Sequence, residues 1–235
     1  MSDGLSTTSA ELTAPPTMIW RAWPTWTNYN KRRARLPRVE PGRVVEAELD
    51  LTEATVVVQD WGGLLGLTLP LAAPGRYRGL LAMNTALGTG DAPLSPGFVA
   101  WRDMCAKNPD FDVARLFARG NPHMSAQECA AYNAPFPDRG HRAALRAFPS
   151  MVPDGSDADG AAVSRQARDF WANEWTGQSM MAIGLQDPVL GVPVMQALRQ
   201  QIRGCPEPMV LEQAGHFVQE HGESIARAAV GYFRS

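Results

Sequence analysis

One short stretch constrains the fold of this chain more than any other: a β-branched run that leads directly into a tight turn. The run is Ala54-Thr55-Val56-Val57-Val58-Gln59, and Asp60-Trp61-Gly62-Gly63 follows it without a spacer. Such a run is typical of a buried parallel strand. The two glycines permit a sharp turn, and the leucines after them predict a single helix that continues to Pro74-Gly75. The stretch therefore predicts a strand, a turn and a helix.

Three later segments also have strand character. They lie at 79–84, Gln178–Gly184 and 208–211, and the chain closes with an amphipathic helix over 223–233. Strands that are separated by helical sequence are typical of an α/β fold with a mostly parallel sheet and flanking helices. We therefore expect one such domain.

Composition divides the chain into four parts. Residues 1–17 are predicted to be a disordered tail, and residues 18–89 the N-terminal part of the core, with no clear periodicity before residue 50. Residues 90–173 contain short helical pieces broken by proline and glycine, which indicates a helical cap inserted into the core. Residues 174–235 then complete the core.

Charge and cysteine content exclude several classes of function. A formal net charge of −2 argues against a nucleic-acid or anionic membrane partner, and the basic cluster at 31–35 is interpreted as a solvated segment rather than a nucleic-acid patch. Three widely spaced cysteines predict neither a disulfide framework nor a zinc site, so we expect a cytoplasmic protein. We find no secretory signal, membrane span, metal-ligand cluster or phosphate-binding glycine loop, and we predict no cofactor.

Three polar residues stand just after predicted strands, where open α/β sheets bind their ligands. Asp60 follows the first strand, Asp187 the third and His216 the fourth. Alone, Asp60 would more often cap a helix, and a histidine is more often structural. Their chain order, however, is the nucleophile, acid and histidine order of α/β-hydrolase triads. A carboxylate in the nucleophile position predicts a covalent ester intermediate.

The string Val57-Val58-Gln59-Asp60-Trp61-Gly62-Gly63 resembles the nucleophile region of haloalkane dehalogenases. Four further segments are similar to segments of that family, in the same order, so that the resemblance covers roughly residues 50–235. They lie at 134–138, 148–152, 182–187 and 214–220.

The resemblance implies a two-step hydrolysis of haloalkanes to a primary alcohol and halide. It makes Asp60 the nucleophile that displaces halide and forms an alkyl ester. It makes His216 the base that activates water against this ester, and Asp187 the acid that orients the imidazole. The implied partners are a small halogenated hydrocarbon and water, and we expect a monomer.

The resemblance also implies how halide and oxyanion are bound. Trp61 and Trp101 match the halide-binding residues of the subfamily that uses two tryptophans, and Phe98 is expected to line the substrate pocket. Backbone N–H groups of Trp61 and Trp23 would form the oxyanion hole.

The front of the chain departs from the family pattern. Arg21-Ala22-Trp23 stands where the family has His-Gly and one further residue, and the segment at 26–56 lacks a strand, a glycine-rich loop and a long helix. We therefore expect a sheet that is incomplete at its N-terminal side. Two alternatives remain open: an epoxide hydrolase, for which Tyr132 is the only cap tyrosine, and an inactive truncated remnant.

Overall fold

A computed structural model of the chain describes residues 51–234, and a parallel sheet lies at its centre. The sheet has four strands in the order β1-β2-β3-β4, and every neighbouring pair is parallel. This arrangement confirms the predicted α/β class. Each predicted strand is present, with the bounds β1 Ala54–Gln59, β2 Tyr77–Met83, β3 Gln178–Gly184 and β4 Met209–Leu211.

Helices connect each strand of the described chain to the next, as parallel pairing requires. Two short ones follow β1, five lie between β2 and β3, one lies between β3 and β4, and the last follows β4. Single 3-10 turns occur at Pro74–Arg76 and Val218–His221. The helices are α1 Trp61–Gly66, α2 Leu69–Ala72, α3 Pro96–Lys107, α4 Val113–Gly120, α5 Ala126–Asn133, α6 Ala143–Met151, α7 Ala161–Asn173, α8 Val192–Gln200 and α9 Gly222–Arg234.

The single helix predicted after Gly63 is wrong, because the structure has two short helices there. α1 ends at Gly66 and α2 starts at Leu69. Pro70 occupies the first turn of α2, where its missing N–H costs nothing, whereas in the interior of one long helix it would break a hydrogen bond. Thr68 lies between the two helices, and its hydroxyl donates to the carbonyl of Leu65 at 2.7 Å.

One face of the sheet is covered mainly by α7 and α8, and we call its buried residues cluster 1. The Trp171 indole in α7 is fully buried and donates to the Leu67 carbonyl at 2.8 Å. α7 therefore packs on the sheet, although its sequence lies within the predicted 90–173 insertion. Cluster 1 consists of Val56, Val58, Leu67, Leu80, Ala82, Ala167, Phe170, Trp171, Trp175, Met181, Ile183, Met195, Leu198 and Ile202.

The opposite face of the sheet is covered by α9. Its buried residues, cluster 2, are Leu81, Met83, Met180, Ala182, Ala214, Val218, Ile225 and Ala229. On this face Val57 is 40% exposed, so β1 is not buried on both sides as its sequence predicts. Within residues 51–234 the only strand partner of β1 is β2, which makes it the edge on the N-terminal side of the sheet.

A third group of buried residues lies among the helices between β2 and β3, and we call it cluster 3. Its buried members are Val113, Phe117 and Cys129. The Phe117 ring stacks on Tyr132 at 3.8 Å and on Phe217 at 4.0 Å. Since Phe217 follows β4, this stack ties α4 and α5 to the loop that carries His216.

Several predictions fall on residues outside the described range: the tail at 1–17, the basic cluster at 31–35 and the backbone role of Trp23. In the described part of the chain, no helix combines the length and the hydropathy needed to cross a membrane.

Candidate active site

The three polar residues that follow strands meet at the carboxyl-terminal edge of the sheet. The imidazole Nδ1 of His216 lies 2.8 Å from Asp187 Oδ2, and its Nε2 lies 3.7 Å from Asp60 Oδ1. The side chain of Asp187 is fully buried, that of His216 is 26% exposed and that of Asp60 is 40% exposed. The histidine thus joins a buried carboxylate to one that a substrate can reach.

Asp60 has a strained backbone at the junction of β1 and α1. Its φ of 48° and ψ of −124° lie outside the regions that L-residues favour. Such conformations cost about 1–3 kcal/mol and occur at functional sites. Asp60 occupies the position before the helix, but its carboxylate makes no capping hydrogen bond, so the ordinary capping role does not account for it.

Residues after β2 hold this strained turn. The Asp60 N–H donates to the Asn84 carbonyl at 3.1 Å, and the Thr85 hydroxyl donates to the Asp60 carbonyl at 2.7 Å. Gly63 serves close packing rather than an unusual φ: a Cβ there would lie 1.8 Å from the Thr85 hydroxyl oxygen. The positive φ at this turn is adopted by Asp60 itself.

Four hydrogen bonds hold the Asp187 carboxylate. Oδ2 accepts from His216 and from the Asn84 side-chain amide at 2.9 Å, and Oδ1 accepts from the N–H groups of Val189 and Leu190 at 2.8 and 3.0 Å. Burial works to raise the pKa of Asp187, but the hydrogen bond and charge of His216, together with the other donors, outweigh it and lower the pKa. Asp187 is therefore a fixed negative charge behind the histidine.

Asn84 is a site residue that sequence reasoning missed. It is completely buried, and its side chain also bonds both the carbonyl of Gly184 at 3.2 Å and the N–H of Gly184 at 2.8 Å. The backbone carbonyl of Asn84 accepts from the Asp60 N–H, so one residue links the nucleophile to the acid. The signal was available, since Asn84 is also a polar residue just past a strand.

His216 is held as a base by its two carboxylate neighbours. Burial acts to lower the pKa of His216, but the hydrogen bond to Asp187 and the charges of Asp60 and Asp187 outweigh it, so the pKa is raised. Because Nδ1–H donates to Asp187, the neutral imidazole carries its lone pair on Nε2. That lone pair lies on the side of Asp60.

Gln59, the last residue of β1, is the second site residue that was missed. Its side-chain nitrogen donates to the His216 carbonyl at 3.0 Å and lies 3.5 Å from His216 Nε2. It directly precedes Asp60, so the same strand end presents both a carboxylate and an amide to the histidine.

The aromatic residues predicted to bind halide and substrate lie in different helices. Trp61 is the first residue of α1, and its ring contacts Phe148 with centroids 4.9 Å apart. Trp101 lies in α3 and contacts Phe111 edge-on at 5.9 Å. Phe98 lies in the first turn of α3, where its N–H donates to the Ser95 hydroxyl. Their roles toward halide and substrate stay predictions.

Tyr132, on which the epoxide-hydrolase alternative depends, is engaged elsewhere. Its hydroxyl hydrogen-bonds the carboxylate of Glu220, and its ring stacks on Phe117. Burial raises the pKa of Tyr132 to about 12, and Glu220 adds to the effect. The hydroxyl is therefore committed to a structural contact between α5 and the turn before α9.

These groups are suited to a two-step displacement. A carboxylate nucleophile needs no proton removed before it attacks, so the histidine is free to act on water afterwards. The first N–H groups of an α-helix have no carbonyl partners within the helix, and α1 begins at Trp61, directly after Asp60. Among residues 51–234, no group of three or more His, Cys, Asp or Glu side chains could hold a metal ion.

A family model described as alpha/beta hydrolase fold matches residues 39–223. Among curated proteins, a haloalkane dehalogenase of Psychrobacter cryohalolentis is 35% identical over 189 residues, which cover 79% of this chain and 62% of the relative. A haloalkane dehalogenase of Mycolicibacterium paratuberculosis is 32% identical over 186 residues and has similar coverage, 78% and 62%. The chain thus spans less than two thirds of the length of these relatives.

Solved structures agree with these matches. The haloalkane dehalogenase DpaA from Paraglaciecola agarilytica, whose structure is described as tetrameric, has a TM-score of 0.77 and 40% identity, covering 80% of this chain and 63% of DpaA. The haloalkane dehalogenase DatA from Agrobacterium tumefaciens has a TM-score of 0.66 at 24% identity, covering 84% of this chain and 75% of DatA, and supports the fold alone.

Proposed function

Since the chain belongs to the alpha/beta hydrolase fold family, we propose that it is an enzyme that hydrolyses haloalkanes to a primary alcohol and halide. One observation carries the proposal: Asp60 stands at a strained strand-to-helix turn, with His216 Nε2 at 3.7 Å from its carboxylate. The similar proteins that are named haloalkane dehalogenases support the choice of substrate class.

In the first step, an Asp60 carboxylate oxygen attacks the carbon that bears the halogen. A carbon–oxygen bond forms while the carbon–halogen bond breaks, and the halide leaves with the bonding electrons. The product is an alkyl ester of Asp60. His216 takes no part, because no proton moves in this step.

In the second step, water attacks the carbonyl carbon of the Asp60 ester and gives a proton to Nε2 of His216. Asp187 stabilises the imidazolium, as its fixed charge and its 2.8 Å contact with Nδ1 allow. Collapse of the tetrahedral intermediate breaks the bond to the alkyl oxygen, which takes the proton from His216. The alcohol leaves, and Asp60 releases its own proton to solvent.

Two groups of donors would stabilise the charges that develop. We assign the departing halide to the indole N–H groups of Trp61 and Trp101, with Phe98 lining the substrate pocket, because a buried anion needs donors. We assign the oxyanion to the backbone N–H of Trp61, at the start of α1.

Halide release from 1,2-dihaloethanes and 1-halobutanes tests the proposal. We expect the purified chain to release halide and Asp60→Asn, which keeps the shape but not the charge, to release none. His216→Gln should release about one halide per protein and retain the alkyl group on the peptide that contains Asp60, as mass spectrometry would detect. Absence of release by the unaltered chain would overturn the proposal, and a folded but inactive chain would favour the remnant.

The proposal also includes a cap over the site, a location in the cell and an oligomeric state. We propose that the predicted 90–173 insertion covers the site as a cap, with cluster 3 at its centre and α7 as its anchor on the sheet. We propose a cytoplasmic location, to which the three free cysteines are suited. Sedimentation would decide between the predicted monomer and a tetramer like that of the Paraglaciecola agarilytica relative.

A further inference from the structure

We propose that Gln59 is a positioning residue for the hydrolytic step, one that holds His216 over the ester and has no part in its formation. The inference rests on the proposed function, because it assigns a role within the second of its two steps. It stands on the two contacts that the Gln59 amide makes with His216.

The first contact fixes the orientation of the amide. A carbonyl oxygen can only accept, so the atom 3.0 Å from the His216 carbonyl must be the side-chain nitrogen of Gln59. The same carbonyl also accepts from the N–H of Val218 at 3.0 Å. The loop therefore keeps one local hydrogen bond when Gln59 is changed, and what it loses is its link to β1.

The second contact lies at the catalytic atom. The amide nitrogen is 3.5 Å from His216 Nε2, the atom that must take the proton from water. An N–H group there suits the lone pair of the neutral imidazole, whereas the protonated Nε2–H would face another donor. Gln59 thus matches the form of His216 that activates water.

The position of Gln59 in the chain explains how one residue can link the nucleophile to the base. Gln59 ends β1, and Asp60 follows it in the strained turn, so both are fixed by the same strand. His216 comes from the loop after β4, at the other side of the described sheet. The amide therefore sets the distance between the base and the carboxylate that becomes the ester.

The two reaction steps distinguish a positioning role in hydrolysis from a general structural role of Gln59. Ester formation needs no base, whereas hydrolysis needs His216 in place, so loss of the amide should slow only hydrolysis. Gln59→Met keeps the length of the side chain and removes its donors. We expect hydrolysis to slow by about ten- to a hundredfold, the scale of a misplaced catalytic group, with ester formation within about threefold of the unaltered rate.

Gln186→Met is the matched control. Gln186 donates its side-chain nitrogen to the Glu212 carbonyl at 3.0 Å, so it makes the same kind of bond to the same connection between β4 and His216. We expect this variant to keep both rates. Rapid-quench measurement of halide and of alkylated protein would give the two rates, with a halide burst and accumulated ester in Gln59→Met only.

Gln59→Glu gives a readout that a merely structural role would not move. During hydrolysis Asp60 is an uncharged ester, so Asp187 is the charged group that faces the imidazole, and a carboxylate at position 59 would stabilise the imidazolium further. The pH at which the hydrolysis rate rises should shift upward in Gln59→Glu, and by more than in Gln59→Met, which removes a donor but adds no charge.

The outcomes are distinct. If the unaltered chain forms and hydrolyses the ester while Gln59→Met does so at the same rates, or Gln59→Glu leaves the pH profile unmoved, the inference is overturned and the proposed function stands. If Gln59→Met slows both steps equally, the role is structural and the inference is also overturned. If the unaltered chain forms no ester, the proposed function fails and the inference fails with it.

Discussion

A single imidazole determines how the proposed reaction depends on pH. His216 must be neutral to accept a proton, and in the chain with a free Asp60 carboxylate its pKa is raised by Asp187 and Asp60 against the effect of burial. In the ester Asp60 carries no charge, so only the effect of Asp187 remains. Hydrolysis should therefore be slow below the pKa that His216 has in the ester and should rise with pH through it, with Asp187 as the carboxylate that raises this pKa. The rate of ester formation should not show this dependence on pH, because Asp60 attacks the substrate without help from His216.

Single-turnover measurements at several pH values would check this, with halide reporting the first step and loss of alkylated protein the second. Asp187→Asn should move the rise in the hydrolysis rate to lower pH, because a charge that favours the imidazolium is gone. If the hydrolysis rate rose at the same pH in both proteins, the assigned effect of Asp187 on the pKa of His216 would be contradicted.

Site residues whose side chains indicate acid, base or nucleophilic chemistry were predicted from the sequence. Site residues with amide side chains were missed. Asp60, Asp187 and His216 were found because the ends of parallel strands converge on one edge. Asn84 and Gln59 lie at strand ends too, so their positions were a signal, but an amide side chain does not indicate one particular chemistry. The structure shows that these amides reach Asp187 and His216.

At the level of elements, the packing of α1 on the end of β2 holds the nucleophile in place. Gly63→Ala would put a Cβ 1.8 Å from the Thr85 hydroxyl oxygen, which bonds the Asp60 carbonyl. Overpacking of this kind costs about 1–3 kcal/mol. We expect that loss of stability in urea unfolding, together with at least a tenfold fall in ester formation, because the turn that presents Asp60 must shift.

Gly62→Ala provides the comparison, since a Cβ at Gly62 has nothing within 4 Å. Alanine favours helix over glycine by up to about 1 kcal/mol, so this variant should be as stable as the unaltered chain or more so. Equal effects of the two substitutions would contradict the assigned contact with Thr85.

The strands could be located from sequence more accurately than the helix after β1. The β-branched run at Ala54–Gln59 and the mostly apolar segment at Gln178–Gly184 identified β1 and β3 with their observed bounds. The break between α1 and α2 depends on Pro70, whose position could equally have started a turn or a new helix. The exposed side of Val57 was also unpredictable, because a run of valines has the same letters whether one face or two are covered.

Over the whole molecule, the three clusters are joined through the sheet and the loop after β4. Cluster 1 and cluster 2 share the strands β2 and β3, and Phe217 links cluster 3 to the same loop that carries His216. A helical unit that packs only within itself would open separately, whereas one stacked on the catalytic loop should open with the core.

We therefore expect the described part of the chain to unfold in one cooperative step. Hydrogen exchange followed by mass spectrometry, at increasing urea, should show peptides from α4 and from β2 opening with the same free energy and the same dependence on urea. Phe117→Ala removes the ring between Tyr132 and Phe217 and should cost about 3–5 kcal/mol, and it should let the α4 peptide open before the β2 peptide. Earlier opening of α4 in the unaltered chain would contradict this coupling, and it would leave the loop of His216 without the support that the Phe117 stack provides.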